Sequence, residues 1–229
     1  MLREVKVNLG PRSYPIYIGS GALRYLGSLL ANFNVGSKCL LVSNPEVYSI
    51  YGSLVEESLR EKGFKVVPVE VPSGEESKSV SMALKLYETL IDEEFNRSST
   101  VIAFGGGCVG DLAGFVAATY MRGLNFVQVP TTLLAQVDSA IGGKTAVNHP
   151  KAKNVIGVFY QPLFILSDVS TLKTLPPREV KSGFAEVVKY AIALDKGLFE
   201  FLNRAVTKCD DLFKPGITEK VVEWCSRIK

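Results

Sequence analysis

Five short apolar runs, KCLLVS (38–43), FKVVPVEV (64–71), STVIAF (99–104), LNFVQV (124–129) and LFILSD (163–168), recur along the chain with helical patterns between most of them. Runs of this length without polar alternation are what strands buried on both faces require. The intervening segments VYSIYGSLVEESLREKG, SVSMALKLYETLIDEEF and DLAGFVAATYMRG repeat apolar residues at helical spacing, with Gly63 and Gly123 as C-terminal stops. Strands and helices alternating at these lengths predict an α/β fold whose mostly parallel sheet is covered on both faces. Ahead of it, LREVKVN (2–8) and YPIYI (14–18), separated by Gly10 and Pro11, alternate like the two arms of a hairpin.

Beyond Pro176 and Pro177 the pattern turns to helix only: REVKSGFAEVVKYAIAL, KGLFEFLNRAV and TEKVVEWCSRIK. The expected division is an α/β domain over residues 1–176 and the start of an all-helical domain over 177–229, with the double proline as linker. About fifty residues of helix make a thin core on their own, and the last helix has no capping glycine or asparagine. The helical domain is therefore expected to be only the first part of a larger one.

Partners are narrowed by composition. Hydrophobic residues make up 47% and charged residues 21% of the 229, which excludes a disordered chain. The net charge of +3 is spread as mixed signs, without a basic block to track a phosphate backbone, so no nucleic-acid partner is expected. MLREVKVNLG lacks a signal-peptide core and no apolar run approaches the roughly 18 residues of a membrane span, so the chain reads as cytoplasmic. Four cysteines without C-x-x-C spacing and a single histidine, His149, leave no Cys/His cluster for zinc. Cys108 reads as a small packing residue.

Four stretches carry chemistry. GGGCVG (105–110) satisfies G-x-G-x-x-G after a predicted strand and before a predicted helix. A phosphate-binding turn and a tight turn for close helix-to-strand packing both remain open there, and Asp111 places an acid where the helix is expected to begin. PSGEESKS (72–79) follows another strand, with Glu75 able to accept from ribose hydroxyls and Lys78 able to donate, although taken alone the stretch reads first as a solvated helix cap. In VPTTLLAQVDSAIGGKTAVN (129–148), Asp138 and Lys144 interrupt an apolar run and, if buried, need partners. SGFAEVVKYA (182–191) puts Glu186 and Lys189 on one helix face, where an ion pair is the simple reading; Arg122, in YMRG, faces a helix end.

Taken in order, GEESK, GGGCVGD, TYMRG, QVPTTLLAQVDSAIGGKTAVN, KNVIG, TLKTLPPRE and SGFAEVVKY resemble the 3-dehydroquinate synthase family of sugar phosphate cyclases, over about residues 40–195. The resemblance implies a Rossmann-like N-terminal domain and an enzyme that uses NAD and a divalent metal, zinc or cobalt. Its substrate would be 3-deoxy-D-arabino-heptulosonate 7-phosphate (DAHP), converted to 3-dehydroquinate and phosphate by transient oxidation, elimination, reduction and aldol closure. By matching motif, it implies that Asn44, Glu75, Lys78, Gly106, Gly107, Asp111, Thr131, Thr132, Lys153 and Thr174 contact NAD, with Asp111 toward the nicotinamide end. Asp138, Lys144, Asn154 and Lys189 would be substrate ligands, Lys144 and Asn154 near the phosphate. Arg122 resembles an arginine that reaches the substrate phosphate of a neighbouring subunit, which implies a homodimer, and Glu186 resembles the first metal ligand.

The family completes its metal site with two histidines that this chain does not contain, so the chain is expected to bind NAD better than it turns over substrate. Two alternatives stand beside the synthase: another sugar phosphate cyclase or NAD-linked polyol dehydrogenase, and a non-catalytic NAD-binding module.

Overall fold

The computed structural model describes residues 2–229, with Cys209 described by its backbone alone. Its centre is a seven-stranded sheet containing β1 (Arg3–Val7), β2 (Tyr14–Gly19), β3 (Lys38–Ser43), β4 (Lys65–Glu70), β5 (Thr100–Gly105), β6 (Asn125–Pro130) and β9 (Phe164–Asp168). A separate two-stranded hairpin joins β7 (Lys144–His149) to β8 (Ala152–Phe159). The helices are α1 (Leu26–Leu30), α2 (Pro45–Arg60), α3 (Val80–Asp92), α4 (Gly107–Thr119), α5 (Pro177–Ala193), α6 (Lys196–Ala205) and α7 (Ile217–Ile228).

The sheet order is β1-β2-β9-β6-β5-β3-β4, with β1 antiparallel to β2 and every other pairing parallel. The five predicted apolar runs all lie within this sheet, and the N-terminal pair is its antiparallel edge. Counted from β3, the parallel strands follow a 2-1-3-4-5 order in a Rossmann-like α/β fold. The connections therefore reverse direction between β3 and β5, and a crevice opens beyond the carboxyl ends of those strands.

Each sheet face has its own apolar cluster. Leu40, Val42, Val101 and Ala103 meet α3 and α4 on one side, while Leu41, Ile102, Phe104 and Val127 meet α1 and α2 on the other. The third cluster forms at the β1–β2 edge, where Ile16 and Ile18 are fully buried against Val180, Val187, Leu198, Val221 and Val222 of the C-terminal helices. Each such aliphatic side chain contributes roughly 1.5–3 kcal/mol of transfer free energy, so α5, α6 and α7 share a core with the sheet edge. The double proline is the start of α5: Pro176 caps it and Pro177 occupies its first turn, where a missing N–H costs nothing.

One local expectation is corrected, and one element that the sequence did not announce is added. The helix after the glycine turn begins at Gly107, four residues before Asp111, because Gly106 serves as its N-cap and the glycines themselves form the first turn. The polar stretch after Gly143 is the β7–β8 hairpin, which packs on α4 and leaves β8 exposed along nearly its whole length.

Candidate active site

Residues expected at the cofactor gather just past the carboxyl ends of five parallel strands. Asn44 follows β3, Glu75 and Lys78 follow β4, Gly106 and Gly107 follow β5, Thr131 and Thr132 follow β6, and Thr174 closes the 3-10 turn after β9. The glycines are there for contact. A Cβ on Gly106 would lie 3.1 Å from Thr132 Cγ2, one on Gly107 would lie 2.7 Å from Ser139 Oγ, and one on Gly110 would lie 2.7 Å from Gln128 Oε1 of β6. Close helix-to-strand packing thus accounts for Gly110, while Gly106 and Gly107 leave the backbone bare at the N-terminus of α4.

Lys78 organises the floor of this region. It is 4% exposed, and its Nζ donates to Asp111 Oδ2 at 2.6 Å and to Asn154 Oδ1 at 2.5 Å. Burial pushes the Asp111 carboxyl above its ordinary range, and the Lys78 ammonium limits the rise. Glu75 is exposed; its carboxyl is held below the usual range, first by the hydrogen bond from Asn148 Nδ2 at 2.7 Å and then by the nearby Lys78 and Lys153 ammoniums. The Cys108 thiol faces Glu75, and burial pushes it up to about 11, so it stays protonated. On the rim, Asn44 donates to Glu46 and Ser73, and Thr174 pairs with the Tyr51 hydroxyl at 3.0 Å.

Asp138 sits on a π-helical turn, Ala135–Ser139, a form that recurs at functional sites. Thr132 Oγ1 accepts from the Ala135 amide at its start, and Gln136 ties the turn to the main chain at Pro130 and Asp168. One Asp138 oxygen receives two donors, the Tyr190 hydroxyl of α5 at 2.5 Å and Lys229 Nζ at 2.6 Å. Burial pushes the Asp138 carboxyl up, but these donors outweigh it and leave the group below its ordinary range.

A cleft of about 400 Å³ brings together Asp111, Asp138, Ser139, Lys144, Asn154 and Lys229. Four of the expected residues thus share one space. Glu186 and Lys189 lie one helical turn apart and pair with each other, and the Lys189 charge adds to the field that lowers Asp138. Arg122 lies outside the cleft, exposed in a turn where both it and Met121 have positive φ, 66° and 49°. Tyr190, Asn148 and Lys229 were not legible as site residues, because an aromatic on a helix, a polar strand end and a terminal lysine carry no motif of their own.

Tyr190→Phe is expected to raise the Asp138 pKa and to cost about 1 kcal/mol at neutral pH, the scale of one partly solvated hydrogen bond to a charge. A depressed carboxyl contributes stability above its unfolded pKa and loses it as pH falls through the folded value, so acid unfolding of the variant should begin at higher pH. Titration of Asp138 by NMR checks this; an unmoved midpoint would remove Tyr190 as its donor.

Residues 68–182, just over half of the chain, match the family model described as "3-dehydroquinate synthase N-terminal". The chain belongs to the 3-dehydroquinate synthase family. It is 55% identical over 205 residues to the 3-dehydroquinate synthase of Pelotomaculum thermopropionicum, covering 90% of this chain and 55% of that protein. It is 51% identical over 225 residues to the synthase of Desulforamulus reducens, covering 98% of this chain and 62% of that one. The chain therefore spans about 55–62% of the length of these 3-dehydroquinate synthases. Among solved structures, a 2-deoxy-scyllo-inosose synthase complexed with carbaglucose-6-phosphate, NAD+ and Co2+ superimposes with a TM-score of 0.90 at 28% identity, over 99% of this chain and 62% of that one. The cleft at the β3–β5 crevice is thus found in a chain of the 3-dehydroquinate synthase family whose backbone matches that cyclase almost throughout.

Proposed function

We propose that this chain provides the NAD-binding part and the first substrate-binding elements of a cytoplasmic 3-dehydroquinate synthase, which converts DAHP to 3-dehydroquinate and phosphate. The observation that carries the reading is the convergence of Asp111, Asp138, Lys144 and Asn154, drawn from separate elements, on one cleft beside the glycine turn. Residues 1–176 form the cofactor part in this reading, and 177–229 open the helical part.

The glycine turn fits a dinucleotide. Gly106 and Gly107 cannot carry a side chain without displacing Thr132 or Ser139, and Thr131 Oγ1 and Ser139 Oγ are buried with no partner among the described residues, as expected of groups that await a ligand. NAD, when bound, supplies reversible hydride acceptance. The amides at the start of α4 would hold its pyrophosphate, with Thr131 and Thr132 alongside. Glu75 would accept from a ribose hydroxyl, Asn44, Lys153 and Thr174 would line the rim, and Asp111 would face the carboxamide of the cationic ring. Lys144 and Asn154 would hold the substrate phosphate, and Asp138 and Lys189 would orient its hydroxyls. Arg122, outside this cleft, would serve the cleft of a second copy, so the working unit is a homodimer.

A divalent metal would find only an incomplete site among the described residues, with Glu186 as its first ligand. Among them no group of three or more His, Cys, Asp or Glu side chains could hold one, and Glu186 is engaged by Lys189. No step is therefore assigned to a metal.

The reading is tested by titration calorimetry with NAD+, followed by competition of DAHP and sedoheptulose 7-phosphate for the NAD+-loaded protein. NAD+ binding with DAHP preferred is the expected result; no NAD+ binding, or preference for the other heptulose phosphate, overturns it. Asp111→Ala should weaken NAD+ by about tenfold, the loss of one charge-assisted contact. An unchanged dissociation constant in a folded variant would remove Asp111 from the nicotinamide end.

A further inference from the structure

Asn148, the fifth residue of β7, is held out of its own hairpin. The β7–β8 register shifts between Val147 and His149, and the Asn148 amide N–H donates instead to Lys78 O at 2.8 Å, in a parallel bridge between Ser79 and Asn148. Its side chain spans two further segments. Nδ2 donates to Glu75 Oε2 at 2.7 Å, and Oδ1 accepts from the Asn154 amide at 2.9 Å. Asn154 itself holds a left-handed conformation, φ 59°, and its side chain is anchored by the buried Lys78.

Only a carboxamide satisfies both sides. A carboxylate at 148 could accept from Asn154 but would face the Glu75 carboxylate, and a hydroxyl is too short to reach both. The 74–79 segment, which carries Glu75 and Lys78, is thereby fastened at two points to the start of β8, which carries Lys153 and Asn154.

We propose that Asn148 is a positioning residue that fixes Glu75 and Asn154 relative to each other, so that NAD occupancy on one side of the cleft and order of the phosphate-binding start of β8 on the other are energetically coupled. This rests on the functional reading above for the identity of the ligands. Coupling follows because a ligand that orders Glu75 reduces the conformational freedom left for Asn154 to lose, and the effect is reciprocal.

The test uses the full chain and Asn148→Asp, which is nearly isosteric and therefore the variant best able to fold. In it the dissociation constant for NAD+ should rise about tenfold at neutral pH relative to wild type, as a hydrogen bond becomes a like-charge contact. The ratio of variant to wild-type constants should fall toward one as pH is lowered and the carboxylate pair takes up a proton. The other charged or titratable groups facing Glu75 are Lys78, Lys153, Cys108 and Asp111; all are present in both proteins, so the ratio isolates the new pair. With Glu75→Gln present in both proteins compared, the corresponding ratio should lose the pH dependence that the carboxylate pair gives it.

In parallel, amide hydrogen exchange at Asn154 in the ligand-free protein should be faster in Asn148→Ala than in wild type, and in wild type it should slow when NAD+ is added. A pH-independent ratio near one, with Asn154 exchange unchanged, overturns the proposal. If wild type does not bind NAD+, the functional reading fails, and exchange at Asn154 in the ligand-free variants still decides whether Asn148 positions the start of β8.

Discussion

Lys78→Met is expected to lower the stability of the ligand-free protein by about 3 kcal/mol and its Tm by roughly 6–12 °C, the scale for breaking a buried ion pair in a chain of this size. Lys78 is almost fully enclosed and Asp111 largely so, which makes the loss far greater than for the exposed pairs on the surface, worth about 1 kcal/mol or less. Methionine replaces the stem but leaves Asp111 without a cation and Asn154 Oδ1 without its donor. The Asp111 carboxyl, already raised by burial, should rise further. The sign of the pH effect follows: between the unfolded and folded pKa the folded state holds a proton that the unfolded state lacks, so the variant should recover stability as pH falls from neutral. Urea unfolding across pH measures both effects. Lys78→Met combined with Asp111→Asn should recover part of the loss; a single variant as stable as wild type would show that the pair contributes nothing to folding.

Gly183→Ala is expected to destabilise by about 2 kcal/mol although alanine is the better helix former by about 1 kcal/mol. Gly183 lies inside α5, and an added Cβ would sit 2.6 Å from the Leu134 backbone nitrogen and 2.7 Å from Leu133 Cβ. Backbone cannot rotate out of the way, so the helix must move off the segment that leads into the π-helical turn. That movement pulls Tyr190 from Asp138, and if the proposed function holds, affinity for DAHP should fall together with stability. Unfolding and substrate titration on the same variant measure the two losses. A variant more stable than wild type would mean that propensity outweighs the contact and that α5 can shift freely.

β3, β5, β6 and β9 were legible because each is a continuous apolar run buried on both faces, and β1 and β2 because they alternate like the arms of a hairpin. β7 and β8 were not. KTAVNH puts Thr145 beside Val147 on its buried face, and AKNVIGVF lacks a wholly apolar face, since β8 has no covering layer and takes its place from pairing with β7, which packs on α4. The start of α4 was hidden for a different reason: three glycines contradict helix propensity, and they are tolerated because Thr132, Ser139 and Gln128 approach too closely for any side chain. Lys78, Asp111, Asp138 and Asn154 were named as site residues through motif resemblance; the residues alone favoured a solvated helix cap at Lys78 and a polar site at Asp138. What joins them was out of reach, because Asn148 and Tyr190 act through partners 73 and 52 residues away in the chain.

The strand order also sets a schedule for biosynthesis. β3, β4, β5 and β6 each find a parallel neighbour made shortly before or after them, and can add to a growing sheet as they leave the ribosome. The first hairpin cannot. Its only neighbour in the sheet is β9, so Tyr14–Gly19 must wait for Phe164–Asp168, and its outer face waits longer still for α7. A two-stranded hairpin is marginal in water by itself, and such distant pairing is slow. β1 and β2, made before every other strand of this sheet, are therefore among the last to dock, and until they do the nascent chain carries Ile16 and Ile18 uncovered.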